Sequence, residues 1–529
     1  MLYLDTDKNV ANKGDLAGAQ GQLHRLMHLL RAEMRRAGMR RATDAIIPRS
    51  SIVAVQVNPL NGETMAIVNV QDPQFGAKGD GTTNDTAAIT AADAYARSLN
   101  PPARVYFPSG IYMVSQLVLY TNSNWRGEGK NSTTLRQISG SNTDLLYGAN
   151  SNANWGSTQP TAFPYNITLQ ELTLDGNWNA GAGNTSGSGL SVFGDRFVLN
   201  NVYIKNCAQN GIRTEYVDSA VDYGEAWYES TFQGLRIDNC GQHGWLFNGP
   251  HDAHIIDVTV LDAGQSSPNS YDGFVFASDR ATARCVAIHA ATRSGSTRMR
   301  YSVNVQPGAI IEVTGGSNIE GAYTANLGLF SSQCIFDPST RYYAAWNGTN
   351  IYLGGTNCSL NQIHGKLMGT PSGTPCVGIQ FSTVSGDAVN NNRIDVSMDS
   401  QDAGLIAFTA QDCGYNLIRV HSYSDQGANI SGTPHVLDDI EVRGSGAGAD
   451  IYVNTKRQTT RLTIGPQTNG EWTYTYPFYS TPVVTFSPQT PNVALTAPLW
   501  INGINGTSVS IYNPNAATVT LNLVAEGVY

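Results

Sequence analysis

The chain has 529 residues, of which 14% are charged, 41% are hydrophobic and 54 are glycine. This apolar content excludes a disordered chain, and the low charge argues against helix bundles and coiled-coil rods. The net charge of −9 argues against nucleic acid as the main partner. No run approaches the ~18 apolar residues of a membrane span, so no membrane insertion is predicted. The first 20 residues lack the apolar core of a secretory signal.

Residues 1–50 form the first predicted unit. Five apolar residues follow the 4-3 spacing of one helix face, namely Leu23, Met27, Leu30, Met34 and Ala37. Seven arginines lie between Gly21 and Arg49. The pattern fits a solvated basic helix face or a short docking or self-associating helix. A membrane-surface helix is disfavoured, because the segment lacks the bulky aromatic residues expected at a membrane interface. Residues 51–69 then predict a hairpin, with strands at 52–57 and 65–70 around the turn 58–62.

Residues 70–465 read as a β-solenoid. Asn206-Cys207 and the residues to Ile212 match Asn239-Cys240 and the residues to Trp245 at an offset of 33. Short apolar alternations recur at irregular periods, separated by Gly and Asn turns. Such repeats indicate stacked coils that bury one continuous core, whereas a propeller needs a steadier period. The matching Cys207 and Cys240 are expected to stack inward as small apolar residues.

Residues 466–529 form the last predicted unit. Five short strands, at 472–479, 482–486, 499–504, 508–512 and 517–524, alternate with Asn, Gly and Pro turns. This pattern predicts a small C-terminal β-sandwich, with a role in trimerisation or carbohydrate binding. The seven cysteines are widely spread without a CxxC pair, so no disulfide framework, metal site or cofactor is predicted.

Three motifs carry a family resemblance. The run from Phe75 to Thr86, the run from Val105 to Tyr112 and the run from Trp125 to Gly129 resemble the successive landmarks of pectate-lyase-like proteins. The resemblance implies an all-β fold, a right-handed parallel β-helix over about residues 70–465. The opening motif is structural and carries no catalytic residue.

The whole chain resembles a bacteriophage tailspike, because the β-helix lies between a basic helical N-terminus and a terminal β-sandwich. The run Trp500 to Ile504 resembles C-terminal modules of phage tail-fibre proteins. The resemblance implies a homotrimer made in the host cytoplasm and carried on the virion by residues 1–50, attached to a tail or baseplate protein. It also implies action at the bacterial cell surface on a capsule or O-antigen polysaccharide.

The segment 213–230 is an insertion between the two repeat copies. It holds five acids and four aromatics in a chain poor in charge, namely Glu215, Asp218, Asp222, Glu225 and Glu229 with Tyr216, Tyr223, Trp227 and Tyr228. Glycoside hydrolysis uses two carboxylates, and aromatic rings suit the apolar faces of sugars. We therefore predict Glu225 and Glu229 as catalytic, then Asp222, with Asp252 or Asp272 as partners. A solvated acidic loop is the alternative.

Further residues are predicted to contact the polysaccharide: Trp227, Tyr228, Tyr223, Trp245, His243 and Arg293. Arg293 belongs to a cluster of five arginines between 280 and 300, which is either solvated surface or a site for acidic sugar groups. His251 and His254 lie near Asp252, but their spacing alone is a weak metal signal. Three functions stay open: a hydrolase, a lyase on a uronic-acid polymer, and a receptor-binding spike without catalysis.

Overall fold

The computed structural model describes most of the β-rich region. The described residues are 54–57, 64–158, 160–179, 182–216, 230–293, 299–343, 348–369, 377–382, 384, 386–399, 405–408, 414–423, 429–432, 434–435, 438–444, 451–453, 457–464, 466–473, 482–488, 499–504, 508–515 and 518–526. The predicted helix in residues 1–50 lies outside them, and so does most of the 213–230 insertion.

A hairpin opens the described chain, as predicted. Strand β1 (Ala54–Val57) pairs antiparallel with β2 (Thr64–Asn69), with Ala54 opposite Ile67. Strand β2 then pairs parallel with β4 (Arg104–Tyr106), so the hairpin leads directly into the coils.

Helix α1 (Thr86–Ser98) lies at the start of the coils. It buries Ile89, Ala92 and Ala96 in the same core as the first strands, because these apolar residues share one helix face. The loop before it is held by Asp85, whose carboxylate accepts the backbone N–H groups of Lys78 (2.7 Å) and Gly79 (3.0 Å). The opening motif is therefore structural, as predicted. A short helix α2 (Ser151–Asn154) follows in a later turn.

Three columns of parallel strands build the coils, and two of them form one 24-stranded sheet, here called sheet A. Its first column contains β2, β4, β7 (Asn124–Arg126), β16 (Thr231–Gln233), β19 (Ala253–Ile256), β22 (Thr282–Val286), β25 (Ile310–Thr314) and β28 (Ile335–Phe336). Its second column contains β3 (Asp80–Asn84), β5 (Gly110–Val114), β8 (Thr133–Gln137), β17 (Arg236–Cys240), β20 (Thr259–Leu261), β23 (His289–Ala291), β26 (Asn318–Glu320) and β29 (Arg341–Tyr343).

Longer strands run through both columns of sheet A. They are β10 (Tyr165–Asp175), β14 (Asp195–Cys207), β32 (Gln362–Met368), β35 (Arg393–Asp399), β37 (Leu417–Ser422) and β39 (Asp439–Gly444), the last paired antiparallel with β40 (Ile451–Val453). The chain bends between the columns at left-handed residues, including Asn201 (φ 54°) and Gly234 (φ 63°). These residue types adopt positive φ at low cost, so the bend needs no loop.

The third column is a separate 12-stranded sheet, here called sheet B. Its strands are β6 (Leu117–Leu119), β9 (Leu146–Gly148), β13 (Leu190–Phe193), β15 (Ile212–Glu215), β18 (Trp245–Asn248), β21 (Phe274–Phe276), β24 (Tyr301–Val305), β27 (Ala325–Leu329), β30 (Thr349–Leu353), β33 (Val377–Phe381), β36 (Leu405–Ala407) and β38 (Asn429–Ser431). Two small pairs lie in turns, β11 (Trp178–Asn179) with β12 (Ala182–Gly183) and β31 (Cys358–Ser359) with β34 (Val389–Asn390). The architecture is a parallel β-helix, as predicted.

One hydrophobic core fills the coils from Val68 to Val442. The sequence repeat is a structural one, because Cys207 pairs in register with Cys240 and both are fully buried. Five buried cysteines in the described residues are free thiols.

A polar row accompanies this core in the later coils. The side chains of Asn361, Asn392 and Asn416 each donate to the oxygen of the next member at 2.9–3.0 Å, and the row ends at Asp438. All four are buried. Because each side chain also accepts a backbone N–H of the preceding coil, the row satisfies polar groups that the core excludes from water.

The C-terminal region contains two three-stranded antiparallel sheets. One has the order β41 (Arg457–Ile464), β46 (Val519–Glu526), β43 (Val483–Pro488), and the other β42 (Thr468–Thr473), β45 (Ser508–Asn513), β44 (Trp500–Ile504). Residues of both sheets, including Ile464, Trp472 and Leu521, share one buried cluster. The sequence had predicted five strands here and missed β41. Across the described residues, no helix is long and apolar enough to span a membrane.

Candidate functional site

Two edges of sheet B hold the predicted site residues. The edge where its strands end carries Glu215, His251, Asp252 and Arg280, and we call it the insertion edge. The edge where its strands begin carries His243, Asp272 and Arg300, and we call it the paired edge. Strand β18 and its flanking residues separate the two by about 15 Å.

The ends of the 217–229 segment are anchored at the insertion edge. Tyr216 donates its backbone N–H to the carbonyl of Asn248 (3.2 Å), and Ser230 accepts the N–H of His254 (2.8 Å). Both bonds reach the coil whose turn carries His251 and Asp252. The acid-rich insertion therefore leaves and rejoins the coils beside this turn. Its residues Asp222, Tyr223, Glu225, Trp227, Tyr228 and Glu229 lie outside the described residues, and their roles stay predictions.

Glu215 supports the base of the insertion. Its Oε1 accepts from Arg280 Nη1 at 2.8 Å and from the backbone N–H of Gly156 at 2.7 Å, and the carboxylate is buried. Beside it, Phe193 and Tyr216 form a small aromatic cluster separate from the main core, with Trp155 and Phe163 packed on it. Glu215, the first acid of the insertion, therefore forms a structural ion pair with Arg280.

Asp252 is an accessible carboxylate at this edge. Its side chain is 70% exposed, and its Oδ2 lies 3.1 Å from Nδ1 of His251. Its backbone N–H donates to Thr282 Oγ1 (2.8 Å), which fixes the turn. This contact orients the imidazole with Nδ1 towards the carboxylate, and the other ring nitrogen, Nε2, is buried. The sequence pattern marks His251 only as a weak metal candidate, although its adjacency to Asp252 is visible there.

Asp272 has the opposite environment at the paired edge. Its side chain is fully buried, and both oxygens accept from Arg300, at 3.0 and 2.8 Å. Asn304 Nδ2 (2.7 Å) and the backbone N–H of Tyr301 (3.1 Å) also donate to it. Asp272 as a catalytic partner of the insertion acids therefore stays a prediction, and its observed contacts are those of a buried ion pair.

His243 packs against the same ion pair. Its Nδ1 accepts the backbone N–H of Asp272 at 3.0 Å, and its ring meets that of Tyr271 edge-on. Burial lowers the pKa of His243, the nearby Asp272 carboxylate opposes that shift, and Arg300 adds to it. The observed contacts of His243 are structural, and its contact with sugars stays a prediction.

Trp245 is a core residue. Its indole is 0% exposed, packs on Phe232 with ring centroids 4.7 Å apart, and donates Nε1–H to Thr214 Oγ1 (3.3 Å). The prediction that Trp245 contacts the polysaccharide is wrong, because the side chain is fully buried. The repeat already contained this information, because Trp245 pairs in register with Ile212.

The predicted arginine cluster divides into separate ion pairs. Arg280 contacts Glu215, Arg284 contacts Glu312 at 3.8 Å, and Arg300 contacts Asp272. Arg293 bridges the buried carboxylates of Asp238 and Asp262. Arg298 lies outside the described residues. Within the described ranges, no group of three or more His, Cys, Asp or Glu could hold a metal ion.

Comparisons with known proteins agree with the observed coils. Residues 67–272 match the family model described as rhamnogalacturonase A/epimerase, pectate lyase-like. The pre-neck appendage protein of Bacillus phage phi29 is 27% identical over 212 residues, which cover 37% of this chain and 22% of that protein. Alginate lyase 7 of Azotobacter vinelandii is 35% identical over 215 residues, which cover 39% of this chain and 20% of that protein.

Among solved structures, a tailspike protein of E. coli bacteriophage HK620 matches with a TM-score of 0.40 and 12% identity, covering 92% of this chain and 98% of that one. The chain matches only about a fifth of the length of the two curated relatives. The family match and the phage relative support the resemblance to a tailspike with a pectate-lyase-like parallel β-helix.

Proposed function

We propose that this protein is a phage tailspike that binds and depolymerises a bacterial surface polysaccharide, capsule or O-antigen, by glycosidic hydrolysis during adsorption to the host. The observation that carries the proposal is the insertion edge. An exposed carboxylate, Asp252, lies on the coil to which both ends of the acid- and aromatic-rich 217–229 segment are hydrogen-bonded.

The chemistry follows from what the two parts supply. Hydrolysis needs one protonated acid to donate to the leaving oxygen and one carboxylate as base or nucleophile. Glu225 or Glu229, beside Trp227 and Tyr228 in sequence, is the proposed donor, because aromatic neighbours remove water and raise the pKa of a carboxyl group. Asp252, which is open to solvent, is the proposed second carboxylate.

The test is cleavage of purified capsule and O-antigen panels, with products sized and new reducing ends counted. We expect Glu225→Gln, Glu229→Gln or Asp222→Asn to lower the rate by about 10²- to 10⁴-fold without lowering Tm. Asp257→Asn is the matched control, since it removes an exposed acid from the same coil at the bend between the sheet A columns. If all three insertion variants keep wild-type rates on a polymer that the protein cleaves, the assignment is wrong.

A lyase is the second candidate, favoured by the His251–Asp252 contact. A lyase abstracts a proton beside a uronate carboxyl group, and the exposed Asp252 carboxylate, which contacts His251, is the candidate base. The similarity to alginate lyase 7 adds support. An unsaturated product that absorbs ultraviolet light, together with loss of activity in His251→Gln, would replace hydrolysis by elimination. Binding without either product would leave a receptor-binding spike.

The proposal includes a homotrimer that residues 1–50 attach to a tail or baseplate protein. We expect light scattering to give three times the chain mass of 56.7 kDa. A chain starting at Ser51 should keep its β-helix and its cleavage activity but fail to join phage particles. A monomeric mass, or loss of the β-helix on truncation, would contradict these assignments.

A further inference from the structure

The outer face of the second column of sheet A carries a group of basic side chains that the insertion edge does not use. We call Arg136, Lys205, Arg236 and Arg293 the basic patch. Their side chains are 29–52% exposed. The carboxylates that hold them, Asp175, Asp238 and Asp262, are only 3–6% exposed. The acids are therefore covered and the cations face solvent.

Strand register places this alternation in one row across four coils. Arg136 pairs with Asp175, Asp175 with Lys205, and Lys205 with Asp238. Asp175 accepts from Arg136 Nε at 3.1 Å and lies 3.8 Å from Lys205 Nζ. With strands about 4.8 Å apart, this row extends about 14 Å along the coil axis.

Tyr203 gives the patch a rigid surface. Its hydroxyl donates to Asp238 Oδ2 at 3.1 Å, and the charged groups of Lys205 and Arg236 each lie 5.4 Å from its ring centre. Arg236 Nη2 also contacts Asp238 at 3.1 Å. Its Nε is buried and has no hydrogen-bond partner among the described residues, so the exposed part of this guanidinium is what faces a ligand.

In this arrangement the positively charged side chains face solvent, and the carboxylates that pair with them are covered. The oxygens of each covered carboxylate bond the buried part of a cation. A guanidinium has five N–H donors, so others can still point to solvent. An anion that approaches from solvent therefore meets guanidinium and ammonium groups first. The first column of sheet A lies between this face and the insertion edge, so the two surfaces are distinct.

We propose that the basic patch is a second glycan-binding site, which holds the carboxylates of a linear acidic polysaccharide extended along the coil axis. The cations of the row, Arg136 and Lys205, lie two coils or about 10 Å apart, because Asp175 occupies the coil between them. This spacing suits a linear polymer that presents its charges to the protein at a similar interval. The choice of a saccharide rests on the proposed function, and the choice of an acidic one on the charge of the patch. The net charge of −9 disfavours longer and more highly charged polyanions.

The test compares binding of alginate and of neutral dextran to the full chain at low salt. The variant is Lys205→Gln combined with Arg236→Gln, because Asp175 keeps Arg136 and Asp238 keeps Arg293. The control is Arg284→Gln, which removes an exposed arginine from the first column. We expect wild type and control to bind alginate but not dextran, and the double variant to bind about five- to tenfold more weakly.

Three results would overturn the proposal. One is equal alginate affinity in the double variant and the control. Another is a change of oligomeric mass in the double variant, which would make the patch a subunit contact. The third is binding of duplex DNA that equals binding of alginate. Since the assay measures binding, a protein that cleaves no polymer can still pass it, and an active depolymerase can still fail it.

Discussion

The two edges of sheet B contain the same kinds of residue in opposite environments. At the paired edge, Asp272 is fully buried and two arginine nitrogens, an amide and a backbone N–H occupy its oxygens. At the insertion edge, Asp252 is 70% exposed, and its oxygens contact the His251 imidazole and, at 3.4 Å, the Thr282 hydroxyl. A carboxylate that is buried by its partners stabilises the coil around it, whereas one open to solvent is available to a substrate.

This difference shows why the acid-rich region divides as it does. Glu215, the first acid of the insertion, belongs with Asp272, since Arg280 and Gly156 hold it in a buried position. Asp252, the proposed second carboxylate, is of the other kind. Replacing one carboxylate of each kind separates chemistry from stability.

The largest expected effect is on the rate of cleavage. We expect Asp252→Asn to lower the rate by about 10²- to 10⁴-fold and to leave Tm unchanged, because its carboxylate is exposed. Asp272→Asn should keep the rate per folded molecule and lower the free energy of unfolding by about 2–4 kcal/mol, because Arg300 loses its buried charge partner. Parallel measurements of initial rate and of urea unfolding check both halves.

The comparison would fail if the two variants exchanged these effects. A stable Asp272→Asn protein with little activity would move the site to the paired edge. Loss of stability in Asp252→Asn would show that its contacts with His251 and Thr282 hold the turn, so that exposure does not predict function here.

A smaller effect should appear in acid at the paired edge. Since burial lowers the pKa of His243 below its usual value of about 6.5, the folded state favours the neutral ring. The stability contributed by the neutral His243 ring is complete above the pKa that this histidine has in the unfolded chain, and it is lost as pH falls through its pKa in the folded protein. His243→Asn keeps an acceptor for the N–H of Asp272 and cannot be protonated in this range. We expect the variant to lose less Tm than wild type between about pH 7.5 and about pH 5, and equal losses would contradict this account.

The fold could be predicted from the sequence because it repeats. The 33-residue offset between Cys207 and Cys240 is the register of their strands, and the turn residues Gly211 and Gly244 start equivalent strands of sheet B. The hairpin before the coils and most C-terminal strands were also predictable from short alternating patterns. These features depend on local sequence and on neighbouring coils.

The site was harder to predict because it depends on which carboxylates are covered. Asp272 and Arg300 are 28 residues apart, and Arg293 reaches Asp238 across 55 residues, so neither pairing has a sequence signature. Trp245 shows a different limit. An aromatic residue near acids suggested a sugar platform, but alternation along a strand decides which face a side chain occupies, and Trp245 lies on the inner one.

The row of Asn361, Asn392 and Asn416 ends in a different residue type, Asp438. An asparagine side chain both donates and accepts, so each one can pass the pattern to another copy of itself. An aspartate only accepts, and Asp438 receives Asn416 on one oxygen and the backbone N–H of His435 on the other. The row therefore has a direction and a terminus. A repeating structure of this kind can be extended at its end by a further coil, from this chain or from another. Such a coil would join the row by accepting a hydrogen bond from its last member, and the ionised carboxylate of Asp438 has no hydrogen to donate.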